Sequence, residues 1–149
     1  MPLASAARAW HPRPIRRLAL LLLTALFSFV ATAGAEAKQL VRYDLSGGLK
    51  GANERLTVDR DGTARESGKR TSPSHYKVSA KELRGLRHDL TAAHFKSLKH
   101  SYRPRYVVAD GITQTVTYQG RSVSVSTGAT APKRLHRVLQ RLGRLLAHR

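Results

Sequence analysis

The chain contains no cysteine, few acids and few aromatics. Without cysteine there is no disulfide framework, no zinc–thiolate site, no haem-attachment motif and no lipoprotein anchor. Only 9 Asp+Glu stand against 27 Lys+Arg, so any charge-driven partner must be anionic. Aromatics make up 6% and do not interleave with the basic residues, which argues against a surface that stacks bases. The catalytic signatures are missing too. There is no HExxH, no GxSxG elbow, no phosphate loop and no GxGxxG turn. No carboxylate pair stands out for acid–base work. At 149 residues the chain has room for one domain.

The N-terminus is built as an address. Residues 1–17 carry four arginines and no acid, and residues 18–31 form a largely apolar run of 14. Ala33, Ala35 and Ala37 close overlapping A-x-A sites. A positive segment, a short apolar core and small residues in that order predict a secretory signal peptide, residues 1–35, cleaved after Ala35. The run is shorter than a spanning helix needs. Arg16-Arg17 fits twin-arginine export, but the strongly apolar core points to the Sec route. The mature chain, residues 36–149, keeps 23 basic and all 9 acidic residues and is expected in the periplasm or outside the cell. It must fold on its core alone.

Within that chain, Val41, Tyr43 and Leu45 alternate along a first strand. Three glycines between positions 47 and 51 break it. Leu56 and Val58 mark a second strand, and Asp61-Gly62 is read as a two-residue hairpin turn to a third over residues 63–67. A short strand is read at residues 76–78. Ser79 and Glu82 form a capping box ahead of a helix carrying Leu83, Leu86, Leu90 and Ala93. Residues 101–105 read as loop. Asp110-Gly111 opens a second hairpin that turns at Gln119-Gly120. Its Ile112, Val116 and Tyr118 share one face with a polar exception, Gln114. Pro132 opens a final helix with Leu135, Val138, Leu139, Leu142, Leu145 and Leu146 in one stripe. The expected fold is α+β, an antiparallel sheet of hairpins with two main helices packed on one face.

The stretch Val41-Arg-Tyr-Asp-Leu-Ser-Gly-Gly-Leu-Lys-Gly51, followed by the Asp61-Gly62 hairpin, the helix near Leu83, the Asp110 to Gly120 hairpin and the leucine-rich end, resembles the emfourin family. These small bacterial proteins are named for an inhibitor of protealysin, a thermolysin-like metalloprotease. The resemblance spans roughly residues 40–146. It implies a binding protein without catalytic residues or cofactor, with a secreted thermolysin-like metalloprotease as partner. Such enzymes favour a bulky apolar side chain just after the scissile bond. Ser46, Gly47, Gly48 and Leu49 would then approach the cleft, with Leu49 as the anchor. The plainer alternative has the glycines satisfying a turn and Leu49 tucked into the core.

Two other patterns remain. Lys133, Arg134, Arg137, Arg141 and Arg144 line the last helix opposite its apolar stripe. They suggest a cationic envelope protein held to an anionic membrane or envelope polymer, or simply a solvated face. Specific nucleic-acid binding is not expected. The histidines at 75, 88, 94, 100, 136 and 148 lack metal-ligand spacing, so no metal site is expected.

Overall fold

The computed structural model describes residues 38–69, 72–106 and 108–147; the expected leader lies outside them. The compact unit runs from Lys38. Its strands are β1 (Gln39–Gly47), β2 (Ala52–Asp59), β3 (Thr63–Gly68), β4 (Ser74–Lys77), β5 (Ser101–Tyr102), β6 (Ile112–Tyr118) and β7 (Arg121–Ser126). Helix α1 (Ala80–Ala92) and a 3-10 turn (Phe95–Ser97) lie between β4 and β5, and α2 (Lys133–Ala147) follows β7. The sheet order is β4-β3-β2-β1-β6-β7-β5. All pairings are antiparallel except β5 with β7. The fold is therefore α+β.

Directly opposed residues of neighbouring strands share a face. Val41 faces Val58 and Tyr118, Tyr43 faces Leu56 and Val116, and Val116 faces Val123. These apolar rows join one core with Leu86 and Leu90 of α1 and Leu135, Val138 and Leu142 of α2, so both helices cover the same side. The other side is left to Arg42, Asp44, Thr57, Thr113, Thr115, Thr117 and the serines of β7. β5 stands where the sequence predicts loop, because two residues carry no alternation to detect. It is held by the Ser124 N–H, which donates to the His100 carbonyl at 2.9 Å.

Two local expectations are corrected. The β2–β3 connection has three residues, not two. Gly62 N–H donates to the Asp59 carbonyl at 3.0 Å, and only Gly62 has positive φ, at +86°. This is a type I turn closed by a left-handed glycine. Asp61 instead accepts from the Thr63 N–H and from Lys77 Nζ, both at 2.9 Å. At the start of α1, Ser79 Oγ accepts from the Glu82 N–H at 3.2 Å, but the Glu82 carboxylate accepts from the Ser79 hydroxyl at 2.8 Å, not from its backbone. The Gln119-Gly120 turn is as read, with φ of +49° and +73°. Pro132 stands just before α2, and its carbonyl accepts from Leu135 and His136.

Gln114, the polar exception, accepts from the Tyr43 hydroxyl at 3.2 Å. Tyr76 donates its hydroxyl to the Leu145 carbonyl at 2.7 Å, tying β4 to α2. Burial, with the charge of Glu54 adding to it, pushes the Tyr43 phenol up to about 12. Burial and Glu66 raise Tyr76 as well. A raised phenol favours the folded state fully below the unfolded tyrosine value near ~10 and loses that contribution as pH climbs through the folded value. Urea midpoints are therefore expected to hold to about pH 10 and fall above it. Tyr43→Phe should flatten that fall; an unchanged slope would contradict the assignment.

Candidate functional site

The β1–β2 connection is a four-residue turn fixed by backbone contacts. Gly47 pairs with Ala52, and Gly51 N–H donates to the Gly48 carbonyl at 2.8 Å. Gly47, Gly48 and Gly51 have φ of +104°, +77° and +59°. Gly48 N–H also donates to the Gly111 carbonyl at 3.1 Å. A Cβ on Gly47 would stand 2.5 Å from that same oxygen. The glycines thus serve both the turn and the seat it takes against the loop before β6.

At the apex Leu49 is 89% exposed. The alternative of a core Leu49 is excluded. Ser46 and Gly47 are strand residues rather than loop residues, a correction to the four-residue motif. Ser46 lies in the outward row of β1 between Asn53 and Thr113. The displayed element is therefore Leu49 with its neighbour Lys50, carried on Gly48 and Gly51.

A second exposed apolar side chain was missed. Tyr106 is 69% exposed, and Leu49 and Tyr106 are the exposed large hydrophobics of the described chain. Tyr106 lies in the segment leading to β6, across from Gly128, where a Cβ would meet its hydroxyl at 3.6 Å. A groove of about 370 Å³ there is lined by Pro104, Tyr106, Val108, Gly111 and Thr127, with Arg103 and Arg105 at its side. Gly111 connects the two features. It lines the groove and accepts from Gly48. The only signal in sequence is an aromatic that follows two arginines in a proline-containing loop, where no regular element assigns it a face.

The five basic residues of α2 do not act as one face. Lys133, Arg137 and Arg144 are exposed. Arg134 is half-buried and donates from Nη2 to Ser97 Oγ at 2.9 Å. Arg141 donates from Nε to Asp89 Oδ2 of α1 at 2.7 Å, with its side chain 27% exposed. Both are removed from the proposed anion-binding set. They are seven positions apart, so they share the flank of α2 turned toward α1 and the 3-10 turn. The helical pattern showed which residues lie opposite the leucines, but not which flank meets another helix.

The five described histidines, at 75, 88, 94, 100 and 136, are exposed; His148 is outside the described residues. Among the described residues no three His, Asp or Glu side chains come together to hold a metal. No protein-family model matches the chain, and no curated protein matches it.

Proposed function

We propose that the mature protein is an exported, non-enzymatic binding protein that inhibits a thermolysin-like metalloprotease by presenting Leu49 to the pocket beside the catalytic cleft. One observation carries this reading. A leucine stands almost fully in water at the tip of a turn braced through backbone contacts to Gly111. An exposed leucine adds nothing to the core, whereas on a pre-organised turn it can anchor an interface at little ordering cost. The resemblance to the emfourin family supplies the class of partner.

The test is inhibition of a panel of thermolysin-like proteases by residues 36–149. Wild type should inhibit at least one. Leu49→Asp should raise its Kd by at least about 100-fold, since a charge must then enter an apolar pocket. Its thermal stability should stay within about 0.5 kcal/mol of wild type because the site is exposed. Unimpeded proteolysis across the panel, or full inhibition by Leu49→Asp, would remove the proposal.

A further inference from the structure

Among the helices and strands the excess positive charge is segregated by layer. The two helices and the 3-10 turn carry nine Lys or Arg against two acids, Glu82 and Asp89. The strands carry five against four. The strand charges are largely consumed locally: Asp44 is shared by Arg42 and Arg55, and Asp59 holds Arg65. On the helical layer Asp89 is already taken by Arg141, and Glu82 accepts from Ser79.

Of the seven exposed cations on that layer, Arg87 donates to the Arg60 carbonyl and Lys96 lies on the 3-10 turn, and the other five come from two distant parts of the chain. Lys81 and Arg84 come from α1, and Lys133, Arg137 and Arg144 from α2. Lys81 and Arg84 are three apart, and Lys133, Arg137 and Arg144 are spaced four and seven, so each group occupies one stripe of its helix. None of these five forms an ion pair with a described residue. The leucines on the opposite side of each helix are in the core, so neither helix can roll over to insert.

We infer that this two-helix face is a docking surface for an anionic phospholipid bilayer, held by electrostatic adsorption without insertion. The seam between the helices decides the shape of the partner. The guanidinium of Arg141 fills it, lying within 2.7 Å of where a Gly85 Cβ would stand. That guanidinium stands in the path a single polyanionic strand would track along the seam. No exposed large aromatic lies on either helix to stack bases, because the one exposed tyrosine, Tyr106, sits in the loop before β6. Cations spread over two helices match an extended anionic surface, and lysines and arginines at such a surface act additively. This inference is independent of the role of Leu49, which projects from the β1–β2 turn.

The unit from Lys38 onward closes its own core, so residues 36–149 can be tested in a vesicle co-sedimentation assay. The probes are phosphatidylglycerol-containing and pure phosphatidylcholine vesicles. Wild type should bind only the anionic vesicles, and binding should collapse between about 50 mM and about 300 mM salt. Lys81→Gln with Arg84→Gln, and separately Arg137→Gln with Arg144→Gln, should each weaken binding about thirtyfold, the effect of losing two basic residues at a bilayer surface. Arg55→Gln with Lys77→Gln removes the same formal charge from the sheet and should weaken it less than about twofold. Thermal unfolding of each variant separates loss of the face from loss of the fold, and the salt titration of wild type needs no variant. Equal losses from all three pairs would reduce the effect to net charge and overturn the face. Equal binding to both vesicle types, or binding to soluble polyphosphate with none to vesicles, would overturn the bilayer as occupant.

Discussion

Arg141→Ala is expected to destabilise the protein by about 2–3 kcal/mol, because it leaves the Asp89 carboxylate buried without its cation. Removing one member of a fully buried pair costs about 3–5 kcal/mol; the lower figure reflects a guanidinium that keeps 27% of its side chain in water. For a unit of this size the loss lowers Tm by roughly 10 °C. A sharper consequence involves Gly85, in the interior of α1. Glycine there costs about 1 kcal/mol against alanine. It is tolerated because a Cβ would lie 2.7 Å from Arg141 Nη1 and 2.9 Å from its Cζ. Gly85→Ala should therefore destabilise wild type, by pushing the guanidinium off Asp89, and stabilise the Arg141→Ala background by about 0.5–1 kcal/mol. Urea unfolding of the four proteins measures the cycle, and the same sign in both backgrounds would refute the coupling. The pair also sets an acid limit. Burial alone would raise the Asp89 carboxyl, but the hydrogen bond and charge of Arg141, with a smaller contribution from His88, outweigh it and hold it below its usual range. A lowered carboxyl contributes fully above the unfolded value near ~3.9 and loses that contribution as pH falls below it. The gap between wild type and Arg141→Ala should accordingly narrow in acid.

Most of the fold was legible because it depends on alternation and helical period. Val41, Tyr43, Leu56, Val58, Val116 and Val123 point inward as their spacing requires, and the leucines of α2 do the same. What escaped depends on contacts between distant segments. Gly85 reads as an unexplained flaw in a helix until Arg141, 56 positions later, is seen lying over it. Arg141 and Arg144 read alike in a basic helix, yet one closes a buried pair and the other stands in water. Gln114 reads as an error on an apolar face until the Tyr43 hydroxyl is placed beside it. The candidate loop was half legible. Its glycines announce a tight turn, but the Gly111 carbonyl that seats the turn lies 63 positions from Gly48 in sequence, and Tyr106 stands in a proline-containing loop where spacing assigns no face.

That seat makes Gly47 the most demanding position of the loop. Gly47→Ala would require an L-residue at φ +104°, beyond the left-handed region that other residues reach, and would drive Cβ to 2.5 Å from the Gly111 oxygen. Backbone cannot swing aside as a side-chain tip can. Gly111 would have to move, and the Gly48 N–H would lose its acceptor. Strain of about 1–3 kcal/mol with a lost hydrogen bond near 1 kcal/mol gives an expected destabilisation of about 3 kcal/mol. Gly51→Ala is the matched control. It sits at φ +59° with nothing within 4 Å of its Cβ, so only the left-handed cost of about 1–2 kcal/mol applies. The two variants also separate the fold of the loop from its use. At a temperature where both remain folded, Gly47→Ala should lose inhibition with Leu49 intact, because the turn no longer rests on Gly111 and its leucine is no longer held in one direction. Gly51→Ala should inhibit within about threefold of wild type, since the brace survives and only a modest local cost is added. Equal inhibition by both variants would mean that the Gly111 contact fixes the backbone without aiming Leu49.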